Sequence, residues 1–218
     1  MPNESAHARS TFAAGLRAAI AVFSVLGVAG TVTGQTIPLD AFQVGYAANL
    51  PFGDSFIDLT NAGAVNGFDP VGDICANIYV FDSDQQMIAC CTCPLTPNHL
   101  KGVSVRNDLI SNTLTPGVPT EVSVVVTASL NNPCNPAQVV NFAPGLRAWG
   151  ITIHQTPGGG YTDTETRFLT ASPSASELSK LTSYCGFIQA NGSGFGICNS
   201  CVPSGPPGGG GGPPTPPQ

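Results

Sequence analysis

The sequence predicts a mainly β fold: an antiparallel β-sandwich, immunoglobulin-like in general architecture, with one short helix near its C-terminal end. Three observations support this prediction. Short segments alternate apolar and polar residues with a period of two, Pro, Gly and Asn separate these segments, and one later segment has helical spacing. All eight cysteines lie downstream of residue 74, so we expect disulfides to staple the sandwich.

The predicted strands are short and closely spaced. They cover residues 55–60, 74–81, 86–91, 102–106, 121–127, 147–154 and 164–169. Both faces of 74–81 are largely apolar, which is typical of a central strand. Asp82, Ser83 and Asp84 then predict the turn of a hairpin.

One segment has the pattern of a helix. Ser174 and Glu177 form a capping box, in which the first side chain accepts a hydrogen bond from the start of the helix. The residues that then share one helical face are Leu178, Leu181, Cys185 and Ile188. Cys185 should therefore point toward a sheet.

The N-terminal region has the order of a secretory signal peptide. Arg9 and Arg17 precede an apolar run at 18–30, which is too short to cross a bilayer as a helix. The predicted organisation is a signal peptide at 1–34, one sandwich domain at 35–203 and a disordered Pro/Gly-rich tail at 204–218. We expect a protein that is secreted, periplasmic or on the cell surface, without a permanent membrane span.

The charge balance points away from nucleic acid. The chain has 13 acidic and 7 basic residues, and its formal net charge of −6 would repel a phosphate backbone. Charged residues make up only 9% of the chain, well below the roughly 25% of an average globular domain. Such a surface suits an exported β protein whose partner is an unidentified protein or cell-surface component.

The cysteines are the strongest candidates for a structural role. The disulfide candidates are Cys75, Cys90, Cys91, Cys93, Cys134, Cys185, Cys198 and Cys201. Their connectivity stays open, because eight cysteines allow 105 pairings by the standard count. If Cys90 and Cys91 lie in a strand, their side chains leave on opposite faces, so each needs its own partner.

An extracellular metal-binding or redox protein is the alternative. Its candidate ligands are Cys90, Cys91, Cys93, His99, Cys198 and Cys201, which include a Cys-x-x-Cys pair of the spacing that zinc sites use. Export weakens this hypothesis, because thiols in an oxidising compartment usually pair with each other. A redox-active Cys198–Cys201 pair is a further possibility, although no helix-opening frame surrounds it.

No catalytic residue and no cofactor is predicted. His99 and His154 lie in no recognisable catalytic frame, so an enzyme, for instance a secreted hydrolase, is not the favoured hypothesis. The large aromatic residues expected to pack in the core are Trp149, Tyr46, Tyr79, Tyr161 and Tyr184. The sequence therefore favours a secreted, non-enzymatic structural or interaction module.

Three segments carry a resemblance to a known family. They are Ile78-Tyr79-Val80-Phe81-Asp82 through Cys90-Cys91-Thr92-Cys93, Arg147-Ala148-Trp149-Gly150, and Cys185-Gly186-Phe187-Ile188 through Cys201. The chain resembles an uncharacterised family of secreted bacterial proteins over most of the predicted domain. The resemblance implies bacterial export, and it implies no activity, fold or ligand.

Overall fold

The computed structural model describes residues 36–112, 114–191, 198, 199 and 201. The predicted signal peptide and the Pro/Gly-rich tail lie outside the described residues. Two antiparallel sheets face each other, and one helix packs on the outside of one of them. The predicted class, a mainly β, disulfide-bonded sandwich with one helix near the C-terminus, is confirmed.

The two sheets differ in size. The first has five strands, in the spatial order β4 (Met87–Leu95), β3 (Ile74–Phe81), β6 (Glu121–Ser129), β1 (Phe42–Ala48) and β9 (Leu169–Thr170). The second has four, in the order β5 (Leu100–Ser104), β2 (Phe56–Asn61), β7 (Leu146–Gln155) and β8 (Tyr161–Arg167). Short helical turns cover Leu39–Ala41 and Val105–Leu109, and helix α1 covers Ala175–Ala190.

The five-stranded sheet is apolar on both faces. All eight residues of β3 are buried, as the sequence predicted for a central strand. Its Ile78 lies opposite Cys91 of β4 and faces the core between the sheets, whereas Tyr79 lies opposite Cys90 and faces outward. Burying apolar side chains on both faces stabilises this sheet by roughly 25 cal/mol for each Å² removed from water.

Helix α1 covers part of this outward face. The Ser174 side chain accepts a hydrogen bond from the backbone N–H of Glu177 at 3.1 Å, so the predicted cap is confirmed. Leu181, Cys185 and Ile188 are buried in one cluster with Tyr79 and Cys90. The helix therefore turns the face that contains Cys185 toward the sheet.

The chain passes from one sheet to the other at Phe168. The strand before it, β8, belongs to the four-stranded sheet, and the strand after it, β9, pairs with β1. The buried Phe168 ring fills the space beside Gly45 and Gly150; a Cβ atom on Gly45 would lie 2.3 Å from the ring carbon Cε1. Only a residue without a side chain fits at Gly45.

Some elements differ from the sequence prediction. Strand β1 was not predicted, because Gly45 and its alanines give residues 42–48 a weak strand pattern. The predicted strand at 102–106 is shifted: β5 ends at Ser104, whose side chain then caps the turn at Val105–Leu109. The predicted strand at 164–169 begins at Tyr161 and breaks at Phe168.

Four disulfides use all eight cysteines. They are Cys75–Cys134, Cys90–Cys185, Cys91–Cys198 and Cys93–Cys201. Cys90 bonds to α1 on the outer face, whereas Cys91 bonds on the inner face, so neighbouring cysteines join different layers. Disulfides of this number indicate an oxidising compartment. Within the described ranges, no helix is long and apolar enough to cross a membrane.

Candidate binding surface

The disulfides remove the cysteine ligands of the predicted alternative metal site. Cys90, Cys91, Cys93, Cys198 and Cys201 are all oxidised, and zinc needs thiolates. His99 is exposed in the loop between β4 and β5. Over the described part of the chain, no group of three or more His, Cys, Asp or Glu side chains could hold a metal ion.

The redox hypothesis required Cys198 and Cys201 to bond to each other. Instead each bonds to a cysteine of β4, and both lie buried in the core between the sheets. A buried disulfide is poorly accessible to an attacking thiolate. The structure therefore assigns these cysteines to joining the C-terminal segment to the five-stranded sheet.

His154 has a structural environment. Its Nδ1 atom lies 3.1 Å from Nδ2 of Asn49, and its Nε2 atom lies 2.7 Å from the hydroxyl of Thr164. The Asn49 amide donates to Nδ1, which leaves Nε2 as the protonated donor to Thr164. The Nδ1 bond thus holds the β7–β8 hairpin to the chain before β2, and the Nε2 bond joins the two strands of the hairpin.

Two carboxylates have pKa values that are shifted in opposite directions. Burial alone would raise the pKa of Asp40, but hydrogen bonds from Arg147 and the Gly145 N–H outweigh it and lower the pKa. Burial and the neighbouring Asp69 carboxylate raise the pKa of Asp73. Asp40 links the turn before β1 to β7, so its role is to join the two sheets.

The outer face of the four-stranded sheet carries large apolar side chains. The register places Phe56 of β2 opposite Ile151 of β7, and Asp58 opposite Trp149. Ile151, Ile153 and Trp149 alternate with the buried Leu146 and Ala148, so they point away from the core and are only partly buried. The prediction that Trp149 packs in the core was therefore wrong.

Of the four tyrosines predicted to pack in the core, one is buried and three are exposed. Tyr79 is fully buried, and its hydroxyl donates a 2.7 Å hydrogen bond to the Pro136 carbonyl, so the core prediction is confirmed there. Tyr46, Tyr161 and Tyr184 are exposed, so for them the prediction was wrong. Tyr161 begins edge strand β8, every residue of which is exposed. A tyrosine at a strand edge cannot be buried unless another layer covers it.

An open groove lies at one end of this outer face; we call it the aromatic groove. Its volume is about 510 Å³, and its lining consists of Phe52, Gly53, Phe56, Ile151, Ile153, Tyr161, Thr162 and Asp163. Three aromatic rings remain accessible there, with exposed fractions of 58% for Phe52, 40% for Phe56 and 63% for Tyr161. The groove thus offers apolar and aromatic contact area with a carboxylate at its rim.

Hydrogen bonds hold the turn that presents Phe52. The N–H of Phe52 donates to the Asn49 carbonyl at 2.9 Å, and Asn49 adopts a positive φ of 60° that closes the turn. The Asn49 amide also donates to the Ile153 carbonyl at 3.2 Å. These bonds fix the turn to β7, and Gly53 leaves room for the neighbouring Ile153 side chain.

A second network holds the other end of the same turn. The Asp54 carboxylate accepts hydrogen bonds from the Ser104 hydroxyl, from the Arg106 N–H at 2.9 Å and from the Asn107 amide at 2.9 Å. Asp54 is the neighbour of Gly53, so the turn at Val105–Leu109 braces the groove wall. Hydrogen bonds at both ends of this turn keep its side of the groove largely pre-formed.

Sequence reasoning did not find the groove. Phe52 and Phe56 were not singled out, and Tyr161 was assigned to the core. A usable signal was present in β7, which has apolar residues on both faces, although its edge partner β8 is polar after Tyr161. One of the two apolar faces of β7 had to point outward, since only one sheet packs against it.

Fold and surface together define a disulfide-bonded β-sandwich with one uncovered sheet face that carries an aromatic groove. The chain matches no protein-family model, no curated protein and no solved structure.

Proposed function

We propose that this chain is an exported bacterial, non-enzymatic interaction module that binds its partner through the outer face of the four-stranded sheet. Its signal peptide would deliver it to the periplasm, the cell surface or the medium. The partner would be a protein or another cell-surface component that inserts an apolar or aromatic protrusion into the aromatic groove.

The observation that carries this proposal is the contrast between the outer faces of the two sheets. Helix α1 packs against the outer face of the five-stranded sheet, whereas Phe52, Phe56 and Tyr161 stay exposed on the other. Exposed apolar side chains that cluster in a groove are typical of interaction sites. Hydrogen bonds already hold the groove in shape, which lowers the entropic cost of binding.

The chemistry of the lining supports binding rather than catalysis. Asp163 is its one carboxylate, and the lining contains no histidine, serine or cysteine. The half-buried His154 is hydrogen-bonded through both ring nitrogens, so it is not placed to accept a proton from a nucleophile there. Labelling of the folded protein by serine- or cysteine-directed active-site probes would contradict this part of the proposal.

The binding test uses retention of the purified mature protein by an envelope fraction of the producing bacterium. The double variant Phe52→Ser/Tyr161→Ser removes two exposed rings from the groove. We expect its retained fraction to fall at least tenfold, which corresponds to about 1.4 kcal/mol of binding free energy. Circular dichroism would check that the variant is folded.

The matched control is Phe68→Ser/Phe187→Ser, which removes two rings outside the groove that are even more exposed than Phe52 and Tyr161. Its retained fraction should equal that of the wild type. Equal losses in both variants, or wild-type retention no greater than that of an unrelated acidic protein, would overturn the proposal.

A further inference from the structure

We infer that edge strand β8 takes an extended segment of a partner protein as an additional strand, and that this segment presents basic side chains to Asp163 and Glu165. This inference rests on the proposed function, because it names the part of the partner that binds beside the aromatic groove. It is carried by the open backbone edge of β8, by the two carboxylates, and by the position of both next to the groove.

In the described part of the chain, β8 is the longest edge strand whose residues are all exposed. The five-stranded sheet ends on one side at β4, which is almost entirely buried and contains Pro94, and on the other at β9, which has two residues. The other edge of the four-stranded sheet, β5, has five residues, and its last two are buried. All seven residues of β8 are exposed, and none of them is proline. Such an edge is a template for pairing with another strand.

The hydrogen bonds at the two ends of β8 show which of its backbone groups are unpaired. The Thr156 N–H donates to the Gly160 carbonyl at 2.9 Å, and the Phe168 N–H donates to the Ala148 carbonyl at 2.9 Å. Because the residues of an antiparallel strand bond alternately to its two sides, the even-numbered residues of β8 face β7. At the open edge, no described residue bonds to the backbone N–H or C=O of the odd-numbered residues, Tyr161, Asp163, Glu165 and Arg167.

The carboxylates of β8 give this edge a preference for basic side chains. Asp163 lies opposite Ile153 and Glu165 opposite Ile151, so both carboxylates share the outer face with the isoleucines that line the groove. Among the described residues, neither carboxylate has an ion-pair partner. In an added strand, the side chains opposite them would start about 4.5–5.5 Å away, between Cβ atoms. Lysine or arginine at those two positions would compensate both charges.

The same carboxylates disfavour a second copy of this chain as the added strand. Full antiparallel overlap of two β8 strands about a two-fold axis would place Asp163 of each copy opposite Glu165 of the other. The two neighbouring registers that keep the unpaired backbone groups together would place Asp163 opposite Asp163, or Glu165 opposite Glu165. Like charges directly opposite each other destabilise a strand pair. A basic segment therefore fits this edge better than β8 itself does.

The direction of pairing sets the order of side chains in the partner segment. We expect antiparallel addition, which is more stable per residue than parallel addition. The segment then runs from the position opposite Arg167 to the position opposite Tyr161. Its outward residues, at alternate positions, would be one acidic, two basic and one aromatic residue, in that order. The aromatic residue would lie at the groove, which Tyr161 lines.

The probe is the synthetic peptide Glu-Thr-Lys-Thr-Lys-Thr-Phe, blocked at both ends and titrated into ¹⁵N-labelled mature protein by NMR. We expect the amide resonances of residues 161, 163, 165 and 167 to shift more than those of 162, 164 and 166, whose N–H groups already bond to β7. The charge-exchanged peptide Lys-Thr-Glu-Thr-Glu-Thr-Phe should bind at least fivefold more weakly, because it places like charges opposite each other.

Methylated peptides test whether backbone groups form the contact. The peptide residues opposite the odd-numbered residues of β8 turn their N–H groups toward β8. Methylation of the backbone nitrogens of both lysines should therefore weaken binding roughly tenfold. Methylation of the two threonines that flank the second lysine is the matched control, and it should change binding by less than about twofold. Equal losses for both methylated peptides, or unshifted β8 amides at millimolar concentrations of the first peptide, would overturn the inference.

Charge reversal in the protein tests the preference from the other side. Asp163→Lys/Glu165→Lys should bind the charge-exchanged peptide at least fivefold more tightly than the original one. The control Asp84→Lys/Glu121→Lys makes the same change in net charge at exposed positions outside β8, and it should keep the original preference. A reversed preference in both variants would show an effect of net charge and contradict the inference. Circular dichroism would check that both variants are folded.

The peptide and the retention assay together separate this inference from the proposed function. If both hold, Asp163→Lys/Glu165→Lys should also lower the fraction retained by the envelope at least fivefold. Absent peptide binding, with retention still lost in Phe52→Ser/Tyr161→Ser, would refute this inference alone. Peptide binding at β8, with retention unchanged in that double variant, would refute the proposed function alone.

Discussion

The two sheets of this sandwich are stabilised in different ways. Helix α1 and the inter-sheet core cover the five-stranded sheet, and all four disulfides start from β3 or β4 of that sheet. No cysteine lies in the four-stranded sheet, and within the described ranges its outer face leaves Phe56 and Tyr161 exposed. With covalent and apolar stabilisation concentrated in one layer, the other layer can keep large apolar side chains exposed on its outer face.

The largest expected effect comes from the residue that lies between the two sheets. Phe168→Ala would leave a cavity beside Gly45 and Gly150, so we expect the free energy of unfolding to fall by about 3–5 kcal/mol in chemical denaturation. Phe187→Ala, at an exposed position of α1, should change it by no more than about 0.5 kcal/mol. A loss below about 1 kcal/mol for Phe168→Ala would show that this ring does not join the layers.

Removing the bridge to the helix should affect the covered sheet more than the four-stranded sheet. Cys90→Ala/Cys185→Ala opens a link between residues 95 positions apart, and we expect unfolding to become easier by about 2–4 kcal/mol. Hydrogen exchange of α1 amides should accelerate more than that of β7 amides. Equal acceleration in both elements would mean that the two layers do not differ in local stability.

The smallest of these effects concerns pH. Because the pKa of Asp40 is lowered in the folded state, the stabilisation from its bonds to Arg147 and Gly145 is present above the unfolded-state pKa and disappears as pH falls through the folded-state pKa. Asp40→Asn should therefore cost about 1–2 kcal/mol at neutral pH, and this difference should shrink below roughly pH 4. Thermal unfolding of both proteins between pH 3 and pH 7 measures it; a pH-independent difference would contradict the assignment.

Most strands of the five-stranded sheet, and the helix, could be predicted from the sequence. Residues 74–81 and the helix cap at Ser174 were predicted because each has a strong local pattern, continuous apolar residues in one case and a capping box in the other. Strand β1 lacked such a pattern, because Gly45 is required by the distant Phe168 ring rather than by the strand itself. A residue chosen for a contact more than a hundred positions away leaves no local signal.

The groove was missed for a related reason. In β7, bulky Trp149, Ile151 and Ile153 alternate with Leu146, Ala148 and Gly150, and size alone favours the bulky set as the core. Phe168 fills the interior beside Gly150, so the smaller residues face inward and the bulky ones outward. Which of two apolar faces is inside depends on the volume that other elements supply.

The order of the cysteines along the chain has a consequence for maturation. Cys90, Cys91 and Cys93 leave a ribosome or an export channel long before their partners, which follow 95, 107 and 108 residues later. An oxidant that acts during this interval can join these cysteines only to one another, to Cys75 or to Cys134. Correct pairing therefore requires either delayed oxidation or an isomerase that reshuffles early bonds. Where oxidation is early, yields from a host lacking such an enzyme should be low.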